Sequence, residues 1–291
     1  MTEIFLYYNF LPLLADHVLD IPKEHYTNIG ITPRHNYLKF DPNNVKDKEI
    51  IFVKTDLLQS FFINIMPYIK NRFYLISGVG GKDVGSEFKN YLNNKQIIKW
   101  IGSNLLFQHP KLIKIPIGFE ETERCIGGPA SGEGGDQNLL KESYENTIDI
   151  KNKKNKLLVT YLSKTHNDRN GLIEKLKKHN FVEFANKLQF SDYMKKINEY
   201  KFVLCPRGCG TDTHRFWEII LMGSIPVLET CGLDDLYDKF PCLIIQSFDE
   251  LSMDMLNNFK LDENKVKNID KYLLLKNFKN EVLNSMTPLD I

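Results

Sequence analysis

The residues best suited to chemistry fall in one stretch, 200–245, where Arg207, Arg215 and Glu218 accompany Gly208, Gly210, Thr213 and His214. A glycine-bearing loop that feeds a helix N-terminus turns backbone N–H groups toward an anion, and paired guanidinium groups add fixed positive charge beside it. The natural occupant is a phosphate or diphosphate. Glu218 follows Arg215 on the same helical face, so its carboxylate can accept protons from ribose or sugar hydroxyls, or pair with Arg215. The elements that must hold these groups are legible around them. Residues 201–205 form an apolar run closed by Pro206, the pattern of a buried parallel strand. Asp212 or Thr213 stands in N-cap position for a helix to about Met222, and Gly223 ends it. Residues 225–229 read as a second buried strand, which completes a βαβ unit of roughly 30 residues.

The order Cys205-Pro206-Arg207-Gly208, Arg215, Glu218, Gly223, Ile225, Pro226 and Val227 resembles the signature of exostosin-like glycosyltransferases. That resemblance implies an α/β fold of GT-B type, two Rossmann-like domains facing across a cleft. It also implies a nucleotide-sugar donor, UDP-sugar ahead of GDP-sugar, with hexosyl or glycuronosyl transfer to a glycan or glycoconjugate acceptor. Donor-binding roles would fall to Arg207, Gly208, Gly210, Thr213, His214, Arg215 and Glu218. In many retaining GT-B enzymes a second glutamate precedes the ribose-binding one by eight positions; here that place holds Gly210, which favours inversion and a ribose role for Glu218.

Composition is compatible with this picture. The chain has 291 residues, 42% hydrophobic content and a formal net charge of +1. Such a length can bury two cores, and near-neutral charge gives no reason to expect a nucleic-acid or membrane surface. The five cysteines are an odd set without disulfide-type spacing. With no signal-like start, they read as reduced thiols in a cytoplasmic protein. Cys205, Cys209, Cys231 and His214 lack the paired knuckle of a zinc site. No apolar stretch approaches the roughly 20 residues of a membrane helix, so no membrane span is expected. The Golgi-type anchor of animal and plant exostosins is likewise not expected.

In chain order, strands are expected at 4–8, 49–54, 73–77, 97–101 and 112–117, and Pro116 keeps the last from a central position. Asp56 stands at the carboxyl end of 49–54, where open α/β sheets bind ligands and where it would also cap a helix reaching about Asn71. Pro33, Arg34, His35 and Asn36 line a cleft or form a surface loop. Gly78, Gly80 and Gly81 permit a close turn without the dinucleotide fingerprint. The stretch 126–135 contains five glycines and reads as a mobile loop. A lysine-rich run follows at 151–156. Two domains are therefore expected, an acceptor-binding one at 1–150 and a donor-binding one at 151–291, whose segment 265–286 can cross back. The second domain begins with a strand at 157–162 and another strand-to-helix loop, after which Arg169 either reaches the diphosphate or lies solvated.

Glycosyl transfer needs a stabilised leaving diphosphate and a base for the acceptor hydroxyl. The cationic loop meets the first need without a metal. The spacing of Asp234 and Asp235 is not that of a metal-binding pair. For the base, Asp56 leads and His109 is an alternative; Asp83, Glu120 and Glu121 are further candidates. Two rivals stand beside the enzyme: a non-catalytic nucleotide-sugar-binding subunit of a glycosylation complex, and a phosphoesterase using the same pocket.

Overall fold

The computed structural model describes residues 5–7, 10–20, 40–120 and 136–286. The two end residues of the expected strand 4–8, the group 33–36, Glu121 and the glycine-rich loop 126–135 lie outside these residues. Among the described residues, ten strands form two parallel sheets of five, ordered β1-β2-β3-β4-β5 and β10-β9-β8-β6-β7. The first comprises β1 (His17–Leu19), β2 (Glu49–Lys54), β3 (Phe73–Gly78), β4 (Ile97–Gly102) and β5 (Leu112–Lys114). The second comprises β6 (Lys154–Val159), β7 (Val182–Phe184), β8 (Tyr200–Leu204), β9 (Ile225–Glu229) and β10 (Leu243–Ile245). The fold class is thus α/β, with two Rossmann-like parallel sheets.

The chain divides into two compact units, residues 1–7 with 118–278 and residues 8–117 with 279–291. The change of unit falls between Ile117 and Gly118 instead of near residue 150. Backbone bonding explains the difference. Phe119 N–H donates to Leu6 O at 2.8 Å, and Leu6 N–H donates to Leu273 O at 2.7 Å. Phe5 N–H reaches Gln137 Oε1 at 2.8 Å, at the start of α1 (Gln137–Glu145). Asn198, the last residue of α2 (Phe190–Asn198), then bonds through its side chain to Ile148 N and Asn146 O. The residues before 150 are therefore fastened to the later sheet.

In the 8–117 unit each strand pairs with the next in sequence, so right-handed crossovers place the helical segments 55–68 and 86–93 on one face. Leu58, Phe61, Phe62, Met66 and Leu92 pack there against Ile51, Val53, Phe73, Leu75 and Trp100. The other face meets different partners. Leu11 comes so close that a Cβ on Gly78 would lie 2.6 Å from its Cδ1. Lys99 Nζ donates to Ser285 O at 2.6 Å, and the Tyr74 hydroxyl donates to Met286 O. Both acceptors are on the last helix, Leu275–Met286, whose residues from Lys279 onward belong to this unit. β5 is an edge strand and ends at Lys114, before Pro116.

The 118–278 unit has the doubly wound order 2-1-3-4-5 when its strands are counted from β6. The direction of winding reverses between β6 and β8, and their carboxyl ends diverge there to form the crevice in which such sheets bind ligands. The helix α3 (His214–Leu221) follows β8. Phe216, Trp217, Ile219 and Ile220 are fully buried on it, so its apolar character extends around most of its surface. Gly223 closes the segment with φ 62°, a left-handed conformation that glycine adopts without penalty.

Candidate active site

Two arginines cross between the loops that leave β6 and β8. Arg215, in the first turn of α3, donates to Thr160 Oγ1 and to Tyr161 O, the latter at 2.8 Å. Arg169 donates in the opposite direction, from the β6 loop to the β8 loop. Its Nε reaches Arg207 O at 2.6 Å, its Nη2 reaches Pro206 O at 3.1 Å and its Nη1 reaches Ser163 O and Oγ at 3.3 Å. Burial, then the charge of Arg215, brings the Arg169 guanidinium down to about 10, still well above neutral pH. Arg169 is therefore not a solvated surface arginine. It is a positioning residue that holds the β8 loop, with its Nε, Nη1 and Nη2 all bonded to protein oxygens.

The β8 loop is close-packed. Gly208 N–H bonds to Gly210 O at 3.0 Å, and a Cβ on Gly208 would lie 3.3 Å from Thr213 Cγ2 and 3.4 Å from Arg169 Nη2. Thr213 is the N-cap residue of α3, but its side chain makes no capping bond; its Oγ1 faces Cys205 Sγ at 3.7 Å. The N-terminus of α3 therefore carries no side-chain cap. Asp212 is turned inward, where Trp217 Nε1 donates to its carboxylate at 3.0 and 3.1 Å and the Tyr237 hydroxyl donates at 3.2 Å. That buried carboxylate fastens the loop to both neighbouring helices. Arg207 borders a pocket of about 170 Å³ beyond β8 and β9, together with Asp168, Thr211, Glu229 and Cys231. Cys205 lines it too, but burial pushes its thiol up to about 12, so it is not a nucleophile near neutral pH.

On the other side of α3, Glu218 is 9% exposed and accepts a hydrogen bond from the Tyr193 hydroxyl at 2.9 Å. Burial raises its pKa, and His214, the Tyr193 bond and Arg215 partly oppose the rise. Desolvation also carries the Tyr193 phenol well above its usual range. The Arg215 guanidinium lies 6.0 Å from the Tyr193 ring centroid. Although His214 was grouped with the diphosphate loop from its place in the motif, the structure turns it elsewhere. Its Nδ1 lies 2.8 Å from Gly118 O and its Nε2 lies 3.8 Å from Glu120 Oε2.

The two leading base candidates belong to the 8–117 unit, and neither has the setting expected for it. Asp56 does not cap a helix, because the chain leaves β2 directly into a helical turn and places Asp56 inside it. There its charge complements the helix dipole, and Lys82 Nζ lies 3.8 Å away. His109 Nδ1 accepts from Lys111 N at 3.1 Å and its carbonyl accepts from Leu112 N at 2.9 Å, so it organises a turn. Desolvation, then Lys111 and Lys89, lowers its pKa. Asp234 likewise serves a turn, accepting from Thr230 and from Cys231 N. No group of three or more His, Cys, Asp or Glu side chains suited to a metal occurs among the described residues, and no helix among them is long and apolar enough to cross a membrane.

Sequence reasoning did not single out Tyr193 or Glu229, and it read Asp212 only as an alternative N-cap to Thr213. Glu229 had a usable signal, since it ends an apolar strand at the edge where these sheets bind ligands. Its Oε1 accepts from Phe248 N at 2.8 Å. Nothing in the order of residues joins Tyr193 to Glu218.

A family model for the RXYLT1 C-terminal domain matches residues 141–284. That span contains both strand-to-helix loops and all of α3. Among curated proteins, none matches the chain. Solved structures similar to it include a glycosyltransferase from Rickettsia africae ESF-5, with 11% identity over 96% of this chain and 92% of that one and a TM-score of 0.44. Another is an α1,3-fucosyltransferase with GDP-fucose, with 13% identity, 86% and 81% coverage and a TM-score of 0.40. A third is AviGT4, a glycosyltransferase involved in avilamycin A biosynthesis, with 9% identity, 77% and 86% coverage and a TM-score of 0.40. The family match supports sugar transfer in general.

Proposed function

We propose that this chain is an exostosin-like glycosyltransferase that moves a sugar from a nucleotide-sugar donor to a hydroxyl group of a glycan or glycoconjugate. The donor binds the 118–278 unit, and residues 8–117 contribute to acceptor recognition. One observation carries the reading. The loop that leaves β8 carries Arg207 beside a pocket and leads into α3, whose N-terminus has no side-chain cap and which bears the buried carboxylate of Glu218, in a doubly wound sheet. A diphosphate at that helix end would gain its dipole and the Arg207 charge, which supplies leaving-group stabilisation without requiring a metal. Glu218 would accept the ribose hydroxyls. Gly210 in place of a sugar-holding carboxylate favours inversion, and UDP is preferred to GDP as the donor nucleotide.

Calorimetry with UDP, GDP, uridine and guanosine tests the reading on the wild type and on Arg207→Ala. UDP should bind more tightly than uridine, and the variant should lose roughly tenfold or more for UDP, the share of one charge-assisted bond, with little loss for uridine. Equal losses for both ligands, or no nucleotide binding by the wild type, would defeat it.

A further inference from the structure

The cavity beyond β8 and β9 has walls that phosphate binding leaves unexplained. It measures about 170 Å³, and Asp168 and Glu229 bring two carboxylates into the lining that also holds Arg207. The rings of Tyr237 and Phe248, 2% and 5% exposed, add an apolar side. Carboxylates repel a phosphate, but they accept hydrogen bonds from hydroxyl groups. The cavity therefore suits a neutral ligand that carries several hydroxyls.

Glu229 is held at that wall by the fold. It is the last residue of β9, in register with Ile245 of β10. Its Oε1 accepts from Phe248 N at 2.8 Å, in the turn that follows β10. Among the described residues no second donor reaches the carboxylate, which leaves Oε2 to a ligand. A smaller cavity of about 60 Å³ shares Asp168, Glu229 and Phe248 with the first, so both carboxylates border open space on two sides.

The connectivity of a nucleotide-sugar determines which part of it comes here, because ribose and sugar hang from opposite ends of the diphosphate. Arg215 and Glu218 face the β6 side of the β8 loop, where Arg215 donates to Thr160 Oγ1 and Tyr161 O and Glu218 meets Tyr193 of α2. The cavity lies on the β9 side of the same loop, with Arg207 at its border. With ribose at Glu218 and the diphosphate at the N-terminus of α3, the group that reaches past Arg207 is the sugar. Uracil fits this wall poorly, since its two carbonyl oxygens would face the carboxylates.

We infer that this cavity takes the transferable sugar of the donor, a neutral hexose or pentose, and that Glu229 accepts its hydroxyls and sets donor-sugar specificity; this rests on the reading of the chain as a glycosyltransferase with ribose at Glu218. Two carboxylates beside one guanidinium turn away a glycuronosyl group, whose own carboxylate would meet like charge.

Calorimetry on the wild type, Glu229→Gln and Asp168→Asn tests this with UDP, GDP, UDP-glucose, UDP-xylose, UDP-glucuronate and GDP-mannose. In the wild type at least one neutral nucleotide-sugar should bind more tightly than its parent diphosphate, and UDP-glucuronate should not. Glu229→Gln keeps a carbonyl for Phe248 N, so the turn is retained. It should weaken the preferred nucleotide-sugar about tenfold or more, the share of one charge-assisted bond, while Kd for the parent diphosphate stays within about twofold. Unfolding midpoints check that the variants fold; if Glu229→Gln does not, Asp168→Asn, at a side chain 54% exposed, is judged by the same ratio. A parallel loss of diphosphate and nucleotide-sugar would overturn the proposal, because Glu229 would then only hold the turn. A loss confined to GDP and GDP-mannose would also overturn it, with the cavity reading guanine. So would unchanged affinities in both variants, or nucleotide-sugars that bind the wild type no better than their diphosphates. No diphosphate binding at all would remove the glycosyltransferase reading beneath it.

Discussion

Replacing Glu218 with Gln should stabilise the empty protein and weaken the donor complex, two effects of opposite sign from one change. The carboxyl is buried, and its pKa is raised above the ordinary 4.5 chiefly by desolvation. Between 4.5 and that raised value the folded chain binds more protons than the unfolded one. The favourable contribution is therefore complete below 4.5 and disappears as pH rises through the folded value. At pH 7 the side chain is retained at a cost to the fold, and Gln removes that cost while its carbonyl can still accept the Tyr193 hydroxyl. Urea unfolding should accordingly show Glu218→Gln more stable than wild type at pH 7, with the difference shrinking toward pH 4. Donor binding should move the other way. A charge-assisted hydrogen bond to a ribose hydroxyl contributes roughly 1.5 to 3 kcal/mol, so affinity should fall about tenfold to a hundredfold. The loss should vanish with a 2′,3′-dideoxy donor, which has no hydroxyls for the carboxylate to accept. Equal losses for the two donors would refute the ribose role, and a variant less stable at pH 7 would refute the electrostatic account of the buried carboxyl.

Arg169→Ala should act through the loop it holds. Without the guanidinium, Pro206 O and Arg207 O lose their donors at about 1 to 3 kcal/mol per buried group, so unfolding should move to lower urea even without ligand. UDP and uridine should then lose affinity together; a selective loss for UDP at unchanged stability would make Arg169 a direct phosphate ligand instead. Lys153 supplies a pH test. Its Nζ donates at 2.8 Å to Asn198 O, Asn198 Oδ1 and Met222 O, so one ammonium serves the ends of α2 and α3. Burial lowers its pKa from 10.5 to about 8, so the folded chain releases that proton first and its stability contribution rises as pH increases from 8 to 10.5. Urea midpoints at pH 7.5 and 9.5 should show this rise in the wild type, and Lys153→Met should lack it; the same slope in both proteins would disprove it.

Strands were legible wherever an apolar run was short and punctuated. β2 and β9 fall at the expected boundaries, because period, proline and glycine act within a few residues; β5 lies at an edge as expected but stops at Lys114, short of Pro116. In place of the helix expected from Asp56 to about Asn71, residues 55–68 alternate 3-10, α and π turns, with Pro67 near the end. The unit boundary was misplaced because glycine and lysine runs report where a chain can bend, whereas Leu6, Phe119 and Asn198 report where it is tied.

The sequence by itself determined that a glycine loop with Arg207 leads into a helix carrying Arg215 and Glu218, since loop, N-cap and helical face are all local in the chain. Only the tertiary structure decided what these groups do there. It committed Arg169 to carbonyls of the neighbouring loop, placed Tyr193 on Glu218 and turned His214 toward Gly118, a contact spanning 96 positions. A side chain's free valences depend on which oxygen the fold brings to it, and in a doubly wound sheet that partner comes from another crossover, at a separation no local pattern encodes.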